Sequence, residues 1–375
     1  MGVPFNKSGL IFVLCLFLFL STGCITGRYV FWNYADVNDQ HRFPSDTVRR
    51  GPVSSDLIRS TRSAEISFPS SCTVTESPPS LGDFLETHQT LAFLVLQNDS
   101  LIFERYYGTY DSASLLPSFS VVKSFVSSLT GIAIGEGYIR DVHQPVTDYL
   151  YELKDTIFRK VTIENLLTMR SGIRFRENYN SPFYEMAKFY YGRDLKRYTR
   201  KLRVIHPPDS TYEYQSGNAQ LLGMIIEKAT GRKISGYLQD RIWQPMGMES
   251  DATWNVDSRK NREIKAFCCL NATARDFARF GLLYLHQGNW NGKSIVPEEW
   301  VRESLTIRND SRDSQGYPYG YMWRVLEDGS FFAKGILGEY IFVCPEKNAV
   351  IVRLGAKAGD VNWVEFFRCL AKELP

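Results

Sequence analysis

The hydrophobic and polar positions of the chain form short apolar runs bounded by turn residues in a few segments and follow a helical period in many others. The segments LAFLVLQ and LIFERYYG flank turn residues at 98–100, which predicts an antiparallel hairpin. Short segments rich in β-branched and aromatic residues return near the C-terminus: YGYMWRVL, FFAKGILG, EYIFVCP and AVIVRLG. Strands at both ends with helices between them predict an α+β domain, in which one antiparallel sheet is assembled from N- and C-terminal strands.

Helical patterns occupy most of the sequence between these two groups of strands. Residues from about 140 to 270 are helical and loop-rich, and they include NAQLLGMIIEKATG, which ends at Gly231. We therefore predict a mostly helical second lobe at about 140–270 within a domain that spans residues 81–375. Further helices that would flank the sheet are predicted in ATARDFARFGLLYLHQG, VPEEWVRESL and VNWVEFFRCLAKEL.

The helix predicted after Pro117 is apolar on most of its sides. Its apolar positions are Phe119, Val121, Val122, Phe125, Val126, Leu129, Ile132, Ala133 and Ile134. Ser120, Lys123, Ser127 and Gly131 share the one remaining stripe. A charged lysine is seldom fully buried without a partner, because removing water from an ammonium is costly or forces it to lose its proton.

The pattern Ser120-x-x-Lys123 places two chemically compatible side chains on one face of this helix. A spacing of three residues brings them about one turn apart, so the amine can form a hydrogen bond with the hydroxyl. In a dry pocket a neutral amine can accept the hydroxyl proton and make Ser120 a nucleophile. The alternative is a serine at the start of a helix with a lysine that extends outward to solvent. The helix pattern alone does not decide between the two.

Two later segments contain groups that such a nucleophile would need. Tyr214 follows a proline-rich turn and shortly precedes a helix, so its phenol could face a groove or simply pack in the core. Lys334 and Gly335 lie on the strand predicted in FFAKGILGE. A glycine there lets a substrate backbone come close, and the amide of the following residue can point at it.

Taken in order, these three segments resemble the serine β-lactamase and penicillin-binding-protein superfamily, in which Ser-x-x-Lys, Tyr-x-Asn and Lys/His-Thr-Gly elements surround one groove. The closer resemblance is to the class C-like branch of 6-aminohexanoate-oligomer hydrolases and related esterases, and it covers about residues 81–375. It rests on FSVVKSFVSSLTGIAIGEG, LLTMRSGI, YEYQSGNAQLLG, LQDRIWQPMGMESDATW, ATARDFARFGLLYLHQGNW and GILGEYIFVCP. The implied fold is a β-lactamase-like antiparallel sheet with flanking helices and a helical lobe.

The resemblance implies a role for each matched residue. Ser120 would be the nucleophile, Lys123 would accept its proton, and Tyr214 would relay a proton to the leaving group. The backbone amides of Ser120 and Ile336 would form the oxyanion hole.

Substrate contacts are predicted at five further positions: Ser216, Lys334, Gly335, Trp254 and Trp323. The two tryptophans, with the aromatic stretch 183–191, would line a pocket, and core packing is the alternative for them. The sequence departs from the superfamily at Tyr214-Gln215-Ser216 and Lys334-Gly335-Ile336, where Asn and Thr are missing. Those two groups help hold a β-lactam, so we expect hydrolysis of a simpler amide or ester.

Composition narrows the class of protein further. The net charge of +3, with 23% charged residues, shows no basic excess, so nothing points to nucleic acid. The cysteines show no disulfide framework, and adjacent Cys268 and Cys269 are expected to be small buried hydrophobes. No metal or cofactor is predicted. The five histidines lie in unrelated contexts, and the Gly-x-Ser-x-Gly motif of α/β-hydrolases does not occur in the sequence.

The first 24 residues are a separate segment of the chain. The eleven-residue run LIFVLCLFLFL is too short to span a bilayer comfortably, and STGC follows it. This resembles a bacterial lipoprotein signal with Cys24 as the lipidated residue, while an ordinary signal peptide or an N-terminal anchor is the alternative. The lipoprotein interpretation predicts an exported, membrane-attached protein of the cell envelope that faces the periplasm. Residues 25–80 show no sustained period and are predicted to be a tether that wraps onto or leads into the domain.

The sequence therefore predicts a serine hydrolase that cleaves an amide or ester through an acyl-enzyme. Its expected partners are a small-molecule or short peptide-like substrate and, through the N-terminal lipid, a membrane. Two alternatives remain open. One is a penicillin-binding DD-carboxypeptidase or a β-lactamase, and the other is a non-catalytic envelope protein that binds peptide in the same groove.

Overall fold

A computed structural model describes residues 25–32, 34–54, 57–60, 66–72, 80–153, 155–179 and 181–374. The α-helices of these residues, in chain order, are Ile25–Trp32, Asp39–Arg42, Leu81–Thr87, Val122–Gly135, Ile163–Leu167, Glu185–Tyr191, Leu195–Thr199, Ser216–Thr230, Ile234–Leu238, Ala274–Leu285, Glu298–Ser304 and Trp363–Glu373, numbered α1 to α12. The strands are Ser45–Val48, Ile58–Arg59, Thr90–Gln97, Ser100–Tyr106, Leu116–Pro117, Ala252–Asn255, Leu270–Ala272, Asn289–Trp290, Lys293–Ser294, Arg324–Val325, Phe331–Lys334, Tyr340–Cys344 and Ala349–Gly355, numbered β1 to β13.

The main sheet combines strands from the two ends of the chain. Its order is β10-β11-β12-β13-β3-β4-β2, so the N-terminal hairpin β3-β4 pairs directly with the last strand, β13. All pairs are antiparallel except the short β2, which runs parallel to β4. The α+β fold with one sheet built from both termini is therefore confirmed.

Both faces of the main sheet are buried, as the alternation along β3 shows. Ala92, Leu94 and Leu96 face the core that contains α4 and α10, whereas Phe93 and Val95 face the core that contains α3 and α12. Two-residue periodicity is what a strand requires to serve two hydrophobic layers. The central strands are consequently covered by helices on both sides, which fixes the position of α4 against the sheet.

A smaller sheet lies beside the helical lobe and has the order β1-β6-β7-β5. Its strands β6 and β7 fall at the end of the predicted lobe, so this part of the lobe is not helical. Strand β1 comes from the N-terminal extension and pairs antiparallel with β6. The described parts of residues 25–80 also include α1, which packs against α6.

The local structure at Ser120 differs from the predicted continuous helix. Ser120 lies in a 3-10 turn at Phe119–Val121, and the α-helix α4 begins after it, at Val122. Phe119 has a φ of 41°, in the left-handed region that a bulky residue seldom adopts. The turn is held by the Ser118 amide, which donates to the Leu270 carbonyl at 2.8 Å. The Ser120 hydroxyl is thus placed at the end of α4 that faces β7 and β11.

The described residues include no helix long and apolar enough to cross a bilayer. The lipidation predicted at Cys24 lies outside the described residues.

Candidate active site

Ser120 and Lys123 are in direct contact at the start of α4. The Lys123 Nζ lies 2.7 Å from the Ser120 Oγ and donates to the Phe267 carbonyl oxygen at 2.9 Å. Lys123 is only 1% exposed, while Ser120 is partly exposed. A buried amine fixed by one carbonyl and one hydroxyl cannot extend to solvent, so the outward-pointing alternative does not describe this lysine. Ser120, whose hydroxyl contacts this amine, is therefore joined to a lysine that stays inside the protein.

Tyr214 completes a cluster of three predicted residues. It lies just before α8, and the Lys123 Nζ is 5.1 Å from the centre of its ring. Tyr319 packs edge-on against the same ring at 6.2 Å, and the guanidinium of Arg324 lies 5.5 Å from it. These contacts hold the Tyr214 ring beside the Lys123 amine.

The segment after β11 brings backbone amides close to the turn that contains Ser120. A Cβ at Gly335 would overlap the Glu339 carboxylate and lie 2.9 Å from the Ser118 carbonyl oxygen, so only glycine fits this approach. The Gly335 amide donates to the Glu339 backbone carbonyl at 2.8 Å. Among the described residues, the amides of Ser120 and Ile336 donate to no protein acceptor. Both amides lie on the two segments that meet at Gly335 and Ser118, and amides without an acceptor are the kind of donor that an oxyanion hole uses.

Glu339 holds the turn from which the Ile336 amide projects. The Leu337 amide donates to its carboxylate at 3.1 Å, and burial raises the pKa of Glu339 to about 8. A carboxyl group that is largely protonated at neutral pH adds little negative charge beside a developing oxyanion. No feature of the sequence pointed to Glu339, because its position under the turn depends on the pairing of β11 with β12.

Lys334 places a cationic group at the end of β11. Its Nζ donates to the Gln315 amide oxygen at 2.6 Å. Burial and the nearby Arg324 lower the pKa of Lys334 to about 8. Lys334 is therefore still largely protonated at neutral pH and can attract an anionic group of a substrate.

Ser216, predicted to contact substrate, instead binds a neighbouring carboxylate. It is fully buried, and its amide and hydroxyl donate to Glu177 at 2.7 and 2.6 Å. Because the Ser216 hydroxyl donates to Glu177, it is not free to contact a substrate as the Asn of the superfamily motif would. The prediction for Ser216 is corrected accordingly.

Glu177 and Tyr179 belong to the site but were missed by the sequence analysis. Burial raises the pKa of Glu177, and the electrostatic influence of Lys123 opposes that rise. Burial and the charge of nearby Glu177 raise the pKa of Tyr179, and nearby Tyr214 raises it further. Both residues come from a loop without periodicity, so only the folded chain brings them to the groove.

Trp254 and Trp323 do not line the groove, which corrects the prediction for both residues. Each is 0% exposed. The Trp254 indole donates to the carbonyls of Lys265 and Cys268 at 3.1 and 3.0 Å. Trp323 packs against Tyr284 and other aromatic rings of the core. Both tryptophans therefore pack in the core, which was the alternative interpretation for these two residues.

Cys268 and Cys269 are joined by a disulfide, a pairing that the sequence analysis did not predict. Both are buried, and Cys269 has a φ of 73°. They directly follow Phe267, whose carbonyl holds the Lys123 amine. The covalent ring therefore rigidifies the loop that positions this amine. Within the described ranges, His, Cys, Asp and Glu side chains form no group of three that could hold a metal.

Comparisons with known proteins agree on the fold and on the family resemblance. A profile of the family described as "Beta-lactamase" matches residues 83–362. The chain is 30% identical over 305 residues to a 6-aminohexanoate-dimer hydrolase of Paenarthrobacter ureafaciens, covering 74% of this chain and 75% of that protein.

Solved structures show the same similarity. The "Putative 6-aminohexanoate-dimer hydrolase from Bacillus anthracis" has a TM-score of 0.81 at 24% identity, covering 92% of this chain and 95% of its own. A class C beta-lactamase has a TM-score of 0.60 at 16% identity, covering 79% of this chain and 94% of its own. These matches confirm the resemblance drawn from the sequence motifs.

Proposed function

The chain belongs to the beta-lactamase family, and from this premise we propose that it is a serine hydrolase that cleaves an amide or ester through an acyl-enzyme. The observation that carries the proposal is the 2.7 Å contact between the Lys123 amine and the partly exposed Ser120 hydroxyl. A partly exposed hydroxyl beside a buried amine is an arrangement that nucleophilic catalysis by serine can use. Hydrolytic relatives support the reaction class, and the serine mechanism is the further step proposed here.

In the acylation step, the Ser120 Oγ attacks the substrate carbonyl carbon while its proton passes to Lys123. A neutral amine has one lone pair for that proton and can keep one N–H on the Phe267 carbonyl. The tetrahedral oxyanion is stabilised by the free amides of Ser120 and Ile336. The scissile bond then breaks, and the departing amine or alcohol takes a proton from the Tyr214 hydroxyl, which Lys123 replenishes.

Deacylation follows the same route with water in place of the leaving group. Water gives its proton to the Tyr214–Lys123 pair and attacks the acyl carbon, and the Ser120 oxygen recovers a proton as the acid product leaves. We propose a linear amide or simple ester as the substrate, because the Ser216 hydroxyl is bound to Glu177 and cannot serve as the missing Asn. The P. ureafaciens relative is named for a linear amide dimer, which makes short linear amides the first substrates to test.

The proposed function is tested by covalent trapping of the purified full chain. A fluorophosphonate should phosphonylate the protein to about one adduct per chain, and peptide mass spectrometry should place the adduct on Ser120. Preincubation with linear 6-aminohexanoate oligomers, D-amino acid amides or short-chain nitrophenyl esters should slow labelling if they are substrates. A folded protein that gives no adduct, or an adduct on another residue, would support the non-catalytic alternative. Faster capture by a fluorescent penicillin than by any of these substrates would support the carboxypeptidase or β-lactamase alternative.

Tyr214→Phe is expected to lower kcat for amide hydrolysis about 100-fold, because the variant has no hydroxyl to protonate the leaving amine. Activated nitrophenyl esters should be affected much less, since their leaving group departs without a proton. Tyr212→Phe is the matched control, because the buried Tyr212 hydroxyl has no partner within the part of the chain that the structure describes. Equal losses for amides and activated esters in Tyr214→Phe would contradict the relay role.

A further inference from the structure

One segment of the helical lobe is strongly basic, although the net charge of the whole chain is low. Residues 173–206 contain nine Lys or Arg and three Asp or Glu, a net charge of +6, whereas the whole chain carries +3. The remainder of the protein is therefore net negative, and the positive charge is concentrated on one part of the lobe. The absence of a basic excess noted for the whole chain does not hold for this segment.

Five of these basic side chains converge on one surface concavity of about 320 Å³, here called the basic concavity. They are Arg174, Arg176, Lys188, Lys201 and Arg203, and all are exposed or partly exposed. Segments 174 and 203 are adjacent because the Arg174 amide donates to the Arg203 carbonyl at 2.7 Å. The folded chain thus gathers charges that are almost 30 residues apart in sequence.

Only one carboxylate among the described residues lines the basic concavity. Glu185 accepts from Arg176 at 2.8 and 3.0 Å. Burial disfavours the charge of Glu185, but its hydrogen bonds with Arg176 outweigh this and lower its pKa to about 2. Within the described ranges, no carboxylate forms an ion pair with the other four basic residues. The concavity therefore keeps a large positive potential that an anionic partner would neutralise.

Exposed apolar side chains flank the same surface at both ends of α6. Phe183, two residues before α6, is 69% exposed and adjoins Tyr184, whose ring lies 4.4 Å from the Arg176 guanidinium. At the other end, α1 is attached through Arg28, which donates to the Tyr191 carbonyl at 3.0 Å. Val30 and Phe31 of α1 are 62% and 47% exposed. Basic side chains can bind anionic lipid headgroups, and the exposed apolar side chains on either side can insert toward the acyl chains. This combination suits the surface of an anionic membrane.

We propose that the surface formed by α1, the start of α6 and the basic concavity docks onto an anionic phospholipid membrane. Nucleic acid would satisfy the charges and can stack bases on Phe183 and Phe31, but it offers no apolar layer to Val30, so a lipid surface fits the whole patch better. The helix α1 begins one residue after Cys24, so a lipid anchor at that position would hold this same surface against the bilayer. The loop with Glu177 and Tyr179 lies between Arg176 and Phe183, and docking would bring the groove close to the membrane surface.

The test measures partition of the full chain between water and vesicles by flotation, with vesicles of phosphatidylcholine alone or of equal parts phosphatidylcholine and phosphatidylglycerol. Residues 1–24 contain a single charged residue, Lys7, so their apolar run contributes nearly equally to both vesicle types. The wild type should prefer anionic vesicles. In the double variant Lys201→Glu/Arg203→Glu, the ratio of binding to anionic over neutral vesicles should fall at least about tenfold. The variant removes two attractive charges and adds two repulsive ones.

Lys293→Glu/Arg302→Glu is the matched control, since it changes the net charge equally at two exposed positions outside this surface. The control should keep the preference, and Phe31→Ser should weaken binding more than Ile157→Ser at another exposed apolar site. An equal loss in both charge variants, or no preference for anionic vesicles, would overturn the proposal. Binding of a DNA oligonucleotide that depends on Lys201 and Arg203, without vesicle preference, would replace it by a nucleic-acid site.

Discussion

Ser120→Ala is expected to abolish hydrolysis of amides and esters, with a loss in kcat of about 10⁴-fold or more. The variant keeps the backbone amide that we assign to the oxyanion hole, and it removes only the oxygen that forms the acyl bond. Substrate binding should survive, so a linear amide should still bind while no acyl-enzyme accumulates. Rates with nitrophenyl esters, together with intact-protein mass spectra after addition of ester, measure both effects.

Ser127→Ala is the matched control for this variant. Ser127 lies on the same stripe of α4, it is fully buried, and its hydroxyl has no partner within the described ranges. Its substitution should leave the rates and the acyl-enzyme signal close to those of the wild type. If Ser120→Ala retained acylation, or if both variants lost activity equally, Ser120 would not be the nucleophile.

The main sheet and the contact between Ser120 and Lys123 could be predicted from the sequence because both depend on local patterns. The short apolar run of β3, bounded by turn residues, and the mostly apolar character of α4 are local signals that hold in any fold that buries these segments. The spacing of Ser120 and Lys123 keeps the two side chains within one turn of each other, although Ser120 lies in the 3-10 turn that precedes α4. Glycine at position 335 is required by the close approach of the chain's own Ser118 carbonyl and Glu339 carboxylate, whereas the sequence analysis assigned it to the approach of a substrate backbone.

Residues that reach the groove from loops could not be predicted in the same way. Glu177 contacts Ser216 across 39 positions of the chain. Nothing in the local sequence distinguishes it from a solvated glutamate. The prediction that Trp254 and Trp323 line a pocket was wrong for a different reason. A large aromatic side chain suits a pocket and a core equally well until its neighbours are known.

The contact between Glu177 and Ser216 gives a physical reason for the departure from Tyr-x-Asn. The Ser216 amide is the first of α8, where unpaired N–H groups and the helix dipole favour a negative charge. Glu177 occupies this position with both carboxylate oxygens, and a short serine side chain completes the pairing. Lys123 in turn favours the charged form of Glu177. Ser216, at the position where the superfamily has Asn, is thus paired with an acidic residue that lies near the Lys123 amine.

Lys123→Met is expected to lower kcat/KM by about 10³-fold for amides and esters, because Ser120 then has no group to take its proton. Methionine fills a similar volume and is apolar, so the buried site stays packed and the loss reflects chemistry rather than a cavity. Thermal unfolding should show a folded protein, and fluorophosphonate labelling of Ser120 should slow in parallel with hydrolysis.

Lys265→Met tests whether any buried lysine of this region would have the same effect. Lys265 is also fully buried, its amine donates to the Tyr190 carbonyl at 2.7 Å and lies 3.0 Å from the centre of the Phe43 ring, and burial lowers its pKa. Among the described residues no serine hydroxyl accepts from its amine, whereas the Lys123 amine contacts Ser120. If the effect of Lys123→Met came from lost packing or lost charge, Lys265→Met would reduce the rate similarly. A large loss in Lys123→Met alone would instead require that its amine transfer the proton of Ser120.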